Sequence, residues 1–139
     1  MASSESTTGM FEILDATEDN LIAVRVGNGS PAGYEEFYSL LIERTNQYGS
    51  VVVYEEVPDW TVGTYLTHLH GIMPDIQYGP DFDISHYACV GDSRWTKLLY
   101  HQWRAIKPVW PVAPDTMRYY HLTNRDNALR WVTDVAGHT

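Results

Sequence analysis

The residues from 94 to 110 hold the cationic side chains of this sequence that could recognise an anionic group. The segment RWTKLLYHQWRAIKPVW contains three of the five tryptophans and four of the nine Lys and Arg residues, and it has no Asp or Glu. On a helix, Lys97, His101 and Arg104 form one row because they are spaced i, i+4 and i+7. A basic row beside Trp and Tyr is what an interfacial helix presents to anionic lipid head groups. We therefore expect Lys97, His101, Arg104 and Lys107 to contact head groups.

The same helix has an apolar series that predicts its buried side. The residues with the spacing i, i+3, i+4, i+7, i+8 and i+11 are Trp95, Leu98, Leu99, Gln102, Trp103 and Ile106. This periodicity is typical of an amphipathic helix that lies on a sheet. We expect the stripe to face the core and the basic row to face water.

The segment from 60 to 80 is a second candidate for binding. It carries more apolar surface than a loop-rich segment usually has, in Trp60, Tyr65, Leu69, Met73 and Tyr78. Covering one face of the sheet is the simpler interpretation. The alternative is a movable flap over an apolar cavity, opened at Gly71 and Gly79. The residues expected to bind a ligand are Trp60, Tyr65, Leu69, Met73, Trp95, Leu99 and Trp103.

Metal and catalytic motifs are weak. His68 and His70 are two residues apart, so on a helix they point in different directions and cannot share an ion. Cys89 is the single cysteine, and it falls on an apolar strand where a thiol is typically inert. The sequence GDS at 91–93 lacks the Gly-x-Ser-x-Gly pattern of a hydrolase, and Asp92 or Ser93 suits a helix cap instead. We expect no catalytic residue, no metal and no cofactor.

Length and charge limit the class of protein. With 139 residues the chain fits one domain, expected at 10–136 after a disordered tail at 1–9. Its net charge of −9 argues against a dedicated nucleic-acid partner. No apolar run is long enough to span a bilayer, and the single cysteine excludes an internal disulfide. We expect a cytoplasmic protein, with peripheral membrane association and a homodimer both left open.

Strands alternate with helices along the chain. The predicted order is β-β-α-β-α-β-α-β-α, with strands near 11–14, 21–26, 51–56, 84–90 and 116–122. Alternation of this kind predicts an α/β domain with a mostly parallel sheet. We expect five strands in a mixed sheet, the first antiparallel at the edge, with about four helices.

Two segments resemble a known family. In FDISHYACVGDSRW, the residues Ile84, Val90, Gly91, Asp92 and Trp95 follow the order found at a strand–helix junction of the SpoIIAA-like family. The closing NALRWV, residues 127–132, is similar to that family's last helix, and the element order is similar from residue 11 to 135. The resemblance implies a fold like that of STAS domains and of lipid-carrying CRAL-TRIO domains. It also implies a non-enzymatic protein that associates with membranes or holds an apolar or lipid-like ligand.

The STAS resemblance allows a second interpretation, a protein-interaction module in a regulatory partner switch. Such switches carry a phosphorylatable Ser at the start of the helix after the central strand, and EEVPDWTVGT has Thr61 and Thr64 there instead. Glu55, Glu56 and Asp59 would oppose an added phosphate by like-charge repulsion. The apolar-ligand hypothesis is therefore preferred, with the switch module as the alternative.

Overall fold

The computed structural model describes residues 4–5, 9–27, 30–57, 63, 82–106 and 114–137. For Ser4, Glu5, Pro31, Trp95, Leu99, Trp103 and Ile106 it describes the backbone alone.

Six strands form one sheet in the same order as they occur in the chain. They are β1 (Ser4–Glu5), β2 (Phe11–Ile13), β3 (Leu21–Val26), β4 (Val51–Val57), β5 (Ile84–Gly91) and β6 (Thr116–His121). The pairs β1–β2 and β2–β3 are antiparallel, and the pairs from β3 to β6 are parallel. The predicted α/β class and the mixed, mostly parallel sheet are confirmed. The sheet has one strand more than expected, because Ser4 and Glu5 pair outside β2 with Ile13 and Glu12.

Three α-helices lie within the described ranges: α1 (Pro31–Tyr48), α2 (Arg94–Ile106) and α3 (Arg125–Ala136). A short 3-10 turn, Leu122–Asn124, leads into α3. One predicted helix remains, the second in chain order. It falls in residues 59–70, of which the structure describes Gly63 alone.

The ends of α1 follow from local chemistry that the sequence displays. Ser30 is extended, and its hydroxyl oxygen accepts a hydrogen bond from the Gly33 amide at 3.0 Å, while Pro31 occupies the first turn. Gly49 ends the helix at a φ of +91°, a conformation that favours glycine.

The sheet is covered on both faces, which explains the apolar run of β4. We call the side that carries α1 and α2 the front face; its buried core includes Ile22, Val24, Val51, Val53, Phe37, Leu41 and Tyr100. The back face carries α3; its core is Leu21, Ala23, Val52, Tyr54, Ala88, Val90, Ala128 and Val132. Alternate residues of β4 supply both cores, as the period of a strand requires.

The orientation of α2 differs from the prediction. Thr96 and Tyr100 are buried, with exposed fractions of 0% and 3%, whereas Leu98 is 43% exposed and Gln102 is exposed. The predicted stripe was therefore wrong for Leu98 and Gln102. The cause is specific: the Thr96 hydroxyl donates a hydrogen bond to the Val57 carbonyl oxygen at 3.2 Å, so this face turns inward. Because Thr is a polar residue, a pattern of apolar residues does not reveal that Thr96 is buried.

The start of α3 has no side-chain cap at its cap residue. The spacing of Thr123 and Asp126 is that of a capping box, but Asn124 is the cap residue and its side chain makes no capping bond. The Thr123 amide bonds instead to Nδ1 of His121 at 3.2 Å, because the 3-10 turn places it before the helix proper.

Candidate functional site

The exposed face of α2 gathers the cationic side chains that the sequence predicted. Lys97, Leu98, His101 and Arg104 are all exposed, and the i, i+3 spacing of Leu98 and His101 makes these two residues neighbours on the helix surface. No ion pair of the described residues involves Lys97 or Arg104. We call this set the basic face of α2. It combines positive charge with one protruding aliphatic side chain.

The N-terminus of α2 is held firmly against the sheet. The Ser93 hydroxyl oxygen accepts a hydrogen bond from the Thr96 amide at 3.2 Å, so the predicted cap is present at Ser93. Gly91, at the end of β5, lies so close that a Cβ on it would come within 2.8 Å of Thr96 Cβ. Both contacts fix the direction in which the basic face points.

The other predicted site residues divide into two groups. Trp95, Leu99 and Trp103 are in α2 as expected, but the structure describes only their backbone. Lys107, Trp60, Tyr65, Leu69 and Met73 lie outside the described residues, and so do Thr61 and Thr64 of the switch hypothesis. Their roles as ligand, head-group or switch residues stay predictions.

A second arrangement, which the sequence did not single out, lies on β4. Glu55 and Glu56 are consecutive, so their side chains point to opposite faces of the sheet. On the back face, Glu56 is 4% exposed and accepts a hydrogen bond from the Tyr54 hydroxyl at 2.9 Å. Its Oε1 also lies 3.4 Å from Arg25 Nε and 3.6 Å from Arg125 Nη1. Two guanidiniums and a hydroxyl therefore compensate this buried carboxylate.

Desolvation and the neighbouring Glu56 carboxylate together raise the pKa of Tyr54, so its hydroxyl stays protonated and serves as a donor. Arg25 also reaches Glu12 on β2, with Nη1 3.1 Å from Oε1. The network thus joins β2, β3, β4 and the start of α3.

On the front face, Glu55 has much less compensation. The Tyr87 hydroxyl donates a short hydrogen bond of 2.6 Å to its Oε1. In the part of the chain that the structure describes, no further hydrogen bond or ion pair reaches this carboxyl group. Burial raises the pKa of Glu55, and the bond from Tyr87 opposes that rise only in part.

The thiol of Cys89 lies beside Glu55 in the sheet register. Burial first, and then the Glu55 charge, raise the pKa of Cys89, which keeps the thiol protonated. It is a core thiol, as its place on an apolar strand predicted.

A signal for Glu55 and Glu56 was present in the sequence. Two acids in a row near the end of a strand that is buried on both faces must each enter a core. Sequence alone could not show their different partners, because Tyr87, Arg25 and Arg125 come from three separate elements.

Metal and membrane-spanning features can be assessed for the described ranges. Across residues 4–5, 9–27, 30–57, 63, 82–106 and 114–137, no three His, Cys, Asp or Glu side chains are grouped to hold a metal ion. A pocket of about 390 Å³ is lined by Asp15, Glu18, Asp19 and the end of α3, away from the basic face. None of the described helices has the length and apolarity needed to cross a membrane.

Comparison with known proteins identifies the family. A family model described as SpoIIAA-like matches residues 21–133, from the first residue of β3 into α3. No curated protein and no solved structure gives a significant match. Because the family model covers most of the chain, including the junction at Val90–Asp92 and the helix with Trp131, the protein belongs to the SpoIIAA-like family.

Proposed function

We propose that this SpoIIAA-like protein is non-catalytic, binds an apolar or lipid-like ligand, and meets anionic membrane surfaces through the basic face of α2. The observation that carries the membrane contact is the exposure of Lys97, His101 and Arg104 together with an exposed Leu98 on the same helix. Cations and a protruding aliphatic side chain on one exposed part of a helix suit the boundary between head groups and acyl chains.

The charge distribution supports an oriented contact. Residues 93–114 include four basic and no acidic residues, although the whole chain has a net charge of −9. An anionic surface would therefore attract this segment and repel the remainder. Each Lys or Arg near such a surface contributes about 1 kcal/mol, so binding would be weak, reversible and sensitive to salt.

The titratable groups of the front face support a binding role rather than covalent catalysis. A nucleophilic cysteine needs a lowered pKa, whereas the pKa of Cys89 is raised. Apolar residues surround Glu55, Tyr87 and Cys89 on this face. These buried apolar surroundings, with few polar groups, are of the kind that line sites for apolar ligands.

Vesicle flotation tests the membrane contact. The wild-type protein should float with vesicles rich in phosphatidylserine or phosphatidylglycerol, and much less with phosphatidylcholine vesicles. Removing two charges in Lys97→Gln/Arg104→Gln should reduce binding about thirtyfold, because two contributions of about 1 kcal/mol are lost.

A matched control keeps the change in net charge constant. Arg118→Gln/Arg130→Gln removes two exposed charges from β6 and α3 instead. This variant should bind anionic vesicles about as well as the wild type. Equal loss in both variants would mean that the basic face is not the contact, and the absence of any vesicle binding would favour the protein-interaction alternative.

A further inference from the structure

The two adjacent glutamates of β4 have contrasting surroundings: Glu56 is buried, and Glu55 is partly buried. Glu56 is paired with Arg25 and Arg125 and accepts a bond from Tyr54. Glu55 accepts one bond, from the neutral hydroxyl of Tyr87, on an otherwise apolar face. Placing a carboxyl group in apolar surroundings is unfavourable unless a partner compensates it. One of the two carboxyl groups thus lacks a cationic partner within the described chain.

The position of Glu55 in the sheet is central. Its direct neighbours in the register are Val24 on β3 and Cys89 on β5, and Cys89 is in turn beside Tyr119 on β6. One step toward the start of the strands, Val53 lies beside Ile22 and Tyr87. Glu55 therefore lies among apolar and neutral side chains. In the row of neighbouring residues Val24, Glu55, Cys89 and Tyr119, it supplies the carboxyl group.

Glu55 is more accessible than its neighbours on the same face of the strand. Glu55 is only partly buried, whereas Val53 and Val57, its neighbours on the same face of β4, are almost wholly buried. Tyr87 engages Oε1, and no hydrogen bond among the described residues engages Oε2, which is therefore available as an acceptor.

We infer that Glu55 binds the polar end of the apolar ligand, and that this end is a hydrogen-bond donor, foremost a protonated amine. This inference rests on the proposed function, which supplies the apolar ligand, and specifies its chemistry. An ammonium group would give the Glu55 carboxylate the cationic partner that Arg25 and Arg125 give Glu56. A carboxylate-bearing ligand such as a fatty acid anion would instead meet like charge.

Three probes of equal chain length test the inference: dodecylamine, dodecanol and dodecanoate, each titrated calorimetrically below its micelle concentration at neutral pH. The wild-type protein should bind dodecylamine at least about tenfold more tightly than dodecanol, since a charged pair is added. Dodecanoate should bind most weakly. Equal binding of dodecylamine and dodecanoate would overturn the inference.

Two variants separate the carboxyl group of interest from its neighbour. In Glu55→Gln, the advantage of dodecylamine over dodecanol should disappear, while dodecanol still binds. In Glu56→Gln, that advantage should remain. An amine advantage that persists in Glu55→Gln would overturn the inference and leave the apolar site intact, whereas failure of all three probes on the wild type would overturn the proposed apolar ligand itself.

A pH series on the wild type tests the same inference without substitution. Dodecylamine stays protonated from neutral to acidic pH, so its affinity should fall as Glu55 is neutralised. Because burial raises the pKa of Glu55, the fall should begin above the ordinary range of a glutamate. Dodecanol affinity should stay nearly constant, and an amine affinity that does not change with pH would contradict the role of Glu55.

Discussion

At the scale of single residues, two consecutive carboxyl groups lie on opposite faces of β4 and have different partners. The Glu56 carboxylate has compensating charges from Arg25 and Arg125, whereas Glu55 depends on the Tyr87 hydroxyl. Burial of a compensated carboxylate is tolerated, but burial of an uncompensated one destabilises the folded state. The same substitution should therefore have opposite effects at the two positions.

Glu55→Gln should stabilise the unliganded protein at neutral pH. The pKa of Glu55 is raised in the folded state. Below the ordinary pKa of 4.5, the protonated Glu55 carboxyl group therefore makes its full contribution to the free energy of unfolding. That contribution is lost as pH rises through the pKa of Glu55 in the folded protein. The neutral amide keeps an acceptor for Tyr87 and never has to be desolvated as a charge. In urea unfolding, Glu55→Gln should have a larger free energy of unfolding than the wild type at neutral pH. Near pH 4.5 the two free energies should be almost equal. A less stable variant at neutral pH would refute this explanation.

Glu56→Gln should destabilise the protein by about 1 to 3 kcal/mol, because it weakens charge-assisted bonds that join several elements. Arg25 and Arg125 are partly exposed and can be hydrated, which keeps the cost within that range. The measurement is the same urea titration, made alongside Glu55→Gln. Equal stability of the Glu56→Gln variant and the wild type would show that the network contributes nothing.

The sequence shows these two acids near the end of an apolar strand, but it does not show their partners. Two glutamates in a strand covered on both faces are recognisable from pattern alone. Their partners are not, because Arg125 is the first residue of α3, about seventy residues later in the chain, and reaches β4 only through the fold. This is why the basic row of α2, a local feature, was found from the sequence and the Glu55 site was not.

At the scale of elements, α2 shows how one polar residue can set the rotation of a helix. Apolar periodicity favoured a buried Leu98, but Thr96 and Tyr100 face the sheet and Leu98 faces outward. The bond from Thr96 to Val57 and the close approach to Gly91 determine this orientation. The rotation adds Leu98 to the basic face, which the predicted stripe would have removed from it.

Gly91→Ala should destabilise the protein by about 1 to 3 kcal/mol, because the added methyl overlaps Thr96 and must displace α2. Gly27→Ala is the matched control, since a Cβ there meets only the Met10 carbonyl oxygen, at 3.9 Å. Thermal unfolding of both variants gives the comparison. Equal melting temperatures for the two variants would contradict tight docking of α2 on β5.

Leu98→Ser should weaken binding to anionic vesicles about fivefold without changing stability. Burying a fully exposed Leu side chain contributes about 1.5 to 3 kcal/mol. Because 43% of Leu98 is exposed in the folded protein, burying that part in a membrane would contribute about 1 kcal/mol. Leu98→Ile retains the apolar area and should bind like the wild type. Flotation would measure all three proteins, and wild-type binding by Leu98→Ser would show that Leu98 does not insert.

At the scale of the whole molecule, alternation of strands and helices was sufficient to predict the α/β class and the parallel order of the main strands. The sheet carries one two-residue strand beyond that prediction, because Ser4–Glu5 gives no periodic signal over such a short length. Helix ends marked by Ser30, Gly49 and Ser93 were predictable, since capping is local chemistry. The packing of α2 was not, since it depends on contacts between distant segments.

The distribution of charge over the whole molecule would orient the protein at an anionic surface. The basic face of α2 would turn toward an anionic surface while the acidic remainder stays in solvent. Residues of α2 and the Glu55 carboxyl group belong to the same side of the sheet. A cationic amphiphile would concentrate at that same anionic surface, so membrane contact and ligand capture would take place on one side of the protein.

The most direct measurement is the tryptophan emission of the wild-type protein during titration with anionic and with neutral vesicles, at low and then at physiological salt. We expect a blue shift with anionic vesicles alone, weakened as salt screens the charges of α2. An emission spectrum unchanged by anionic vesicles at low salt, or shifted equally by neutral vesicles at both salt concentrations, would contradict the proposed membrane contact.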